Sequence, residues 1–185
     1  MKKYELTEET VTVYGKTLYR IRAVRDFGSV KTGEFGGYIE KEENLSHFGN
    51  AWISGDAWVY GDARVFDNAK VYGDAKVYGD ARVSGDAWVY GNAWVYGNAW
   101  VYGNAEVFNT RHFFVQGPIG SRDGYVTFYR TKDDTIGVRC GCFSGSLQKF
   151  VDRVEETHGG SRYEKEYKRA AELAKVCIRL EGESR

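Results

Sequence analysis

The chain has 185 residues, room for one large domain or two small ones that bury a core of their own. Its 26 Lys and Arg balance 26 Asp and Glu, so no overall positive field exists to hold a nucleic-acid backbone or an anionic membrane, and neither is an expected partner. The N-terminal MKKYELTEETVTVYGK lacks an uninterrupted apolar stretch and no later run approaches the length of a membrane span, so a cytoplasmic location in a bacterium is expected.

In chain order, TVTVYG (residues 10 to 15) and KTLYRIRAVRDFG (16 to 28) alternate in polarity about Tyr14, Gly15 and Lys16, as a β-hairpin does. Residues 1–36 are therefore read as an N-terminal β cap over the open end of the neighbouring repeat region. From Gly49 to Phe108 run ten consecutive hexads of the form G-[DN]-A-x-V-x, and two looser ones, GYIEKE and ENLSHF, precede them from Gly37. Ala and Val separated by one residue give the period of two of a strand, while Gly with Asp or Asn supplies a sharp corner. Three hexads close one triangular coil, so the twelve hexads of residues 37–108 predict a four-coil parallel β-helix. Coils stack about 4.8 Å apart, which makes the solenoid roughly 20 Å tall.

The predicted register stacks hexads three apart, with Ala57, Ala75 and Ala93 in one inward column and Val59, Val77 and Val95 in another. In the first coil it places Lys41 and His47 inward. The variable position points outward and yields the columns Glu40, Trp58, Lys76, Trp94 and Trp52, Lys70, Trp88, Glu106, with Ser46, Arg64, Arg82 and Trp100 on the third face. Ammonium groups alternating with indoles suit cation–π contacts of about 0.5–1 kcal/mol each. Outward Tyr60, Tyr78, Tyr96 and Tyr72, Tyr90, Phe108 add an aromatic exterior. Such rings either fill the sheet surface or form a contact surface. The second option predicts a homo-oligomer, a trimer, with Trp58, Trp94, Tyr78 and Tyr96 at the interface.

After Asn109 the composition changes, and residues 109–185 are read as a small α+β domain of order βββαα. HFFVQGPIGSRDG, YVTFYRTKDD and TIGVRCGCF are the three predicted strands. A helix carrying Leu147, Phe150, Val151 and Val154 on one face ends at Gly159, and a second is opened by Ser161 and Glu164. In a meander the first and third strands run the same way, which brings GPIGSR and GCFSGS to one sheet edge. Ser121, Arg122, Gly141, Ser144, Gly145 and Ser146 then frame a candidate phosphate site at a helix N-terminus, with Arg139, Tyr125 and Tyr129 on the flanking sheet face. The alternative is that the glycines mark ordinary turns. Three cysteines, Cys140, Cys142 and Cys177, are an odd and sparse set that points to reduced thiols. Cys140 and Cys142 with His158 give only three ligands and no CxxC spacing, short of a zinc set, and neither a metal nor a cofactor is expected.

The repeat resembles the hexapeptide-repeat, left-handed β-helix family, in which a small residue follows a branched aliphatic by four positions, as Ala63 follows Val59 here. Glycine falls two residues after the aliphatic here instead of directly after it. The resemblance covers residues 37–108 and implies a left-handed coil, and many members of the family are trimeric acyltransferases with a histidine base and acyl-CoA between subunits. Here His47 is the one histidine among the coils, and His112 and His158 lie outside the repeat. LYRIRAVRDFG, GGYIEKEENLS and the GNAWVY tracts are similar to bacterial and phage proteins labelled polymer-forming or transferase-like. The similarity to phage proteins extends through GCFSGSLQKFV and ETHGG. Three functions fit these features. The leading one is a non-enzymatic phage counter-defence sponge that sequesters a small nucleotide-derived immune signal. The others are a divergent acyltransferase using His47 or His112, and a structural or assembly protein acting through its aromatic faces.

Overall fold

The computed structural model describes residues 2–181. Strands β1 (Tyr4–Val13) and β2 (Lys16–Ala23) form the hairpin, turned by Tyr14 and Gly15 at φ of 48° and 77°. β2 pairs with β3 (Phe35–Ile39), and from there ten two-residue strands follow at six-residue intervals, β4 (Trp52–Ile53) to β13 (Glu106–Val107). They stack as three parallel sheets: β3 with β5, β8 and β11; β4 with β7, β10 and β13; and β6 with β9 and β12. This is a mainly β architecture built on a parallel solenoid of about four turns. The hairpin continues the first of these sheets outward, making it six-stranded in the order β1-β2-β3-β5-β8-β11.

Inside, every repeat alanine from Ala51 to Ala105 and every repeat Val or Ile from Ile53 to Val107 is buried. Coil is tied to coil by backbone rungs such as Trp58 N–H to Ala75 O (2.9 Å) and Tyr60 N–H to Val77 O (3.0 Å). The columns Trp58, Lys76, Trp94 and Trp52, Lys70, Trp88, Glu106 form as the spacing predicts.

The first coil corrects the predicted register. Tyr38 and Ile39 lie opposite Trp58 and Val59, and Leu45 opposite Val65, so the inward aliphatics are Ile39 and Leu45, not Lys41 and His47. Tyr38 replaces Glu40 at the foot of its column. Below Arg64, buried Asn44 stands where Ser46 was expected, and its amide donates to the carbonyls of Gly61 and Ala63. The hexad interval from Ile39 to Leu45 is kept, but the interval from Leu45 to Ile53 is eight residues instead of six, because the corner at Ser46–Gly49 holds two extra. Hydrophobic burial thus overrides the glycine spacing: two aliphatics take the inward places and leave Lys41 outside, paired with Asp62 at 2.8 Å.

The open end of this coil is closed by the start of the chain. Lys3 Nζ donates to Ala51 O (2.7 Å), Tyr4 Oη to Leu45 O (2.7 Å), and the His47 ring stacks on Tyr4 at 4.3 Å. Trp52 points out of its coil yet is buried, since Tyr4 and Phe27 pack edgewise on it. Burial, with Arg25 nearby, draws the Lys3 ammonium down to about 8.

The opposite end is covered by a four-stranded antiparallel sheet, β14 (Phe113–Ile119), β15 (Gly124–Arg130), β16 (Ile136–Cys140) and β17 (Phe143–Ser146), in that order. Three strands were predicted. The fourth arises because Gly141 takes φ of 56° and turns Phe143–Ser146 back along β16, from Cys140↔Phe143 to Gly137↔Ser146. One sheet face, with Phe113, Val115 and Tyr129, closes the solenoid core. Val126, Phe128 and Val138 on the other face pack against α1 (Leu147–His158) and α2 (Arg162–Cys177) through Phe150, Val154, Ala171 and Ala174. The buried Arg130 locks the junction, reaching Glu106 (2.9 Å), Asp134 (2.8 Å) and Glu181 (3.1 Å). Among the described residues no helix is long and apolar enough to cross a membrane.

Candidate functional site

The β14–β15 turn and the β16–β17 turn meet at one edge of the sheet, as the meander requires, and there they border a cleft of about 940 Å³. Its floor on the solenoid side is the third face, with Asp80, Arg82, Asn98 and Trp100. The sheet contributes Thr127 and Arg139, the turns contribute Ser121, Arg122, Tyr125 and Gly141, and α1 and α2 contribute Arg153, His158 and Tyr167.

Trp100 is the anchor. Its backbone N–H donates to Thr127 Oγ1 (2.9 Å) and its Nε1 to buried Ser84 Oγ (3.0 Å). The Arg139 guanidinium lies 4.0 Å from the Trp100 ring centre and 4.8 Å from that of Tyr102, and Arg82 lies 5.3 Å from Trp100. Two guanidiniums on one indole hold each other's charge close without a carboxylate. Arg139 Nε is buried and has no hydrogen-bond partner, and neither Arg82, Arg122 nor Arg139 forms a salt bridge among the described residues. Arg153 does have one, with Glu156 at 3.2 Å. Asp80 is the one carboxylate among the lining side chains. The β14–β15 turn is fixed from below, where Gly120 N–H donates to Glu166 Oε2 (2.8 Å). Burial pushes the Tyr167 hydroxyl up to about 12 and the Cys140 thiol above its usual range, so both stay protonated at neutral pH.

Of the residues expected at the site, Ser121, Arg122, Tyr125, Arg139 and Gly141 line the cleft; Ser144, Gly145, Ser146 and Tyr129 do not. The reason is the fourth strand. Ser144 and Gly145 are paired with Arg139 and Val138, and Ser146 spends its hydroxyl on the N–H of Lys149 as the α1 cap. Tyr129 is buried beneath the sheet against the solenoid core. The cleft therefore meets the C-terminal half of α1, not its N-terminus, and the cations Arg82, Arg122, Arg139 and Arg153 must offset a carbonyl end that repels anions. Arg139 sits opposite Thr127 on the sheet face that carries Tyr125 and Tyr129, and its guanidinium rests on Trp100 and Tyr102 of the solenoid. Arg82, Trp100 and Arg153 were missed as site residues. The signal was present in the third face, whose column breaks the Lys–Trp alternation with Arg64, Arg82 and Trp100, but no pattern in the sequence says which face the C-terminal sheet will lean over.

The repeat itself is recognisable. Residues 75–91 and 87–103 match the YdcK beta solenoid repeat. That match falls in the last two coils and shows a β-solenoid repeat protein. No curated protein matches the chain.

The other expected sites are on separate surfaces. Trp58, Trp94, Tyr78 and Tyr96 share one solenoid face, where Lys76 lies between Trp58 (4.4 Å) and Trp94 (4.8 Å) and Tyr78 is stacked between Tyr60 (5.1 Å) and Tyr96 (5.5 Å). The lower part of this face is covered by Val11, Val13 and Leu18 of the hairpin, leaving Trp94 (41% exposed) and Tyr96 (45%) open at the top. His47 is at the far end of the molecule. His112 is buried, drawn down to about 4 by that burial with Arg130 adding to it, and its Nδ1 accepts from Phe108 N–H (3.4 Å). Among the described residues no three His, Cys, Asp or Glu side chains are placed to hold a metal ion.

Proposed function

We propose that the cleft between the solenoid and the C-terminal domain binds a small anionic molecule of the nucleotide class and holds it unchanged. The observation that carries the reading is the set of guanidiniums, Arg82, Arg122 and Arg139, gathered in one cleft without carboxylate partners in a chain of zero net charge. A guanidinium matches phosphate in both geometry and charge, through paired charge-assisted hydrogen bonds. The half-open ring of Tyr125 (43% exposed) supplies a stacking surface beside them. Retention without turnover is favoured by the packing of His158, the histidine that lines the cleft, whose ring lies against Tyr163 (5.9 Å) and Tyr167 (5.7 Å). The resemblance to phage proteins gives such binding a purpose, the sequestering of a nucleotide signal made by an infected bacterium.

Calorimetry with nucleotides, followed by chromatography of the released ligand, tests the reading. Binding that weakens with salt, falls at least tenfold in Arg122→Ala, and returns the ligand intact supports it. A changed product makes the protein an enzyme, and no binding of any nucleotide ends the proposal.

A second reading, assembly into a homotrimer, rests on Trp94 and Tyr96, which stand side by side and open where the hairpin no longer covers their face. It does not compete with the first, because the two surfaces are distinct.

A further inference from the structure

We infer that the ligand of the cleft carries two phosphate groups separated by a nucleoside, not one phosphate or an adjacent pair. The inference rests on the nucleotide reading above and names the substrate class of the same site.

The cations of the cleft form two groups rooted far apart. One is Arg139 with Arg82, both committed to the ring of Trp100. The other is Arg122, in the turn between β14 and β15. Arg139 lies opposite Thr127, and three residues of extended strand separate Thr127 from Gly124, where β15 begins. At about 3.3 Å per residue that is roughly 10 Å of strand, and Arg122 lies beyond it in the turn. Charge-assisted hydrogen bonds to phosphate are about 2.8 Å long. With Arg82 and Arg139 stacked on the indole, a phosphate seated on that pair leaves Arg122, rooted beyond the start of β15, to take a second one. Between them along the strand stands Tyr125, the exposed ring, so the order of features is cation, aromatic surface, cation pair. A phosphate, a base or sugar, and a second phosphate have the same order.

A second observation marks the Arg82 end as an anion position in its own right. Arg82 is paired directly with Arg64 in the coil below, and like charges opposite each other in a sheet repel. The other two outward columns avoid this by alternating Lys with Trp. Asp62, the acid nearest in sequence to Arg64, is taken by Lys41 at 2.8 Å, and Asp80 makes no salt bridge to Arg82. Arg64, Arg82 and Arg139 thus make a run of three cations along the third face into the cleft, which an anion at Arg82 would relieve.

The test is calorimetry of the full chain with three probes: AMP, with one phosphate; ADP, with two adjacent; and the 5′-phosphorylated dinucleotide pApA, with two separated by a nucleoside. The dinucleotide should bind at least tenfold more tightly than either mononucleotide and with a steeper salt dependence. Arg82→Ala, an exposed position whose melting temperature is checked first, should bring pApA down to the affinity that the parent shows for AMP. Equal affinity for AMP and pApA, or a clear preference for ADP, with Arg82→Ala changing nothing, overturns the two-phosphate inference and leaves single-site nucleotide binding standing. Failure of all three probes to bind overturns both.

Discussion

Gly85→Ala and Gly103→Ala add the same methyl group to the same corner of two successive coils. Both glycines are left-handed, with φ of +71° and +66°, so each substitution carries a conformational cost of about 1–2 kcal/mol. The surroundings differ. A Cβ on Gly85 would lie 2.8 Å from the backbone nitrogen of Gly103 and 3.0 Å from its Cα, while one on Gly103, in the last coil, meets nothing within 4 Å. Backbone atoms held by the rungs of the next coil cannot rotate aside, so Gly85→Ala adds an overpacking cost of about 1–3 kcal/mol. The entropy that alanine removes from the unfolded chain is the same at both positions and cancels in the comparison. Gly85→Ala should therefore be less stable than Gly103→Ala by about 1–3 kcal/mol. All five tryptophans lie in the solenoid, so urea titration followed by tryptophan fluorescence reports on the element in question. Equal destabilisation, or a larger loss at Gly103, would show that coil-to-coil contact at the corner is not what excludes side chains there. Asp67 shows how the corner admits a larger residue: it accepts φ of 59° and its carboxylate takes the N–H of Gly85 at 3.1 Å.

Two further outcomes are expected. His112 is held neutral, with its folded value near 4 against an ordinary 6.5, so the unfolded chain binds more protons between these values and stability falls as pH drops through that window. At about 1.4 kcal/mol per unit the loss amounts to at most about 3 kcal/mol. Urea titrations at pH 7 and pH 4.5 should show a smaller acid loss in His112→Asn than in the parent, and equal losses would refute this. Light scattering at micromolar concentration should show an oligomer that Trp94→Ala weakens more than Lys76→Ala does; a stable monomer would leave these rings as sheet cover alone.

The solenoid was legible from the sequence because its information is local and repeated. Each hexad states where a strand lies, which side chains point in and where the chain turns, and ten copies leave little room for another register. The same logic failed in the first coil, where no glycine marks the corner between Ile39 and Leu45 and the decision passed to burial: these two side chains fill the core, and Ser46–Gly49 widens to let them. The two Gly-Ser turns of the C-terminal domain were also readable as neighbours, since strand direction alone brings them together. What the sequence did not contain was the fourth strand, which draws Ser144, Gly145 and Ser146 out of the site, and the face of the solenoid on which the sheet rests. Trp100 of the solenoid meets Thr127 and Arg139, partners across β15 and β16, because the sheet must cover the open core at Val107. The candidate site is a consequence of capping: a hydrophobic end that cannot face water selects the docking surface, and the docking surface decides which arginines are brought together.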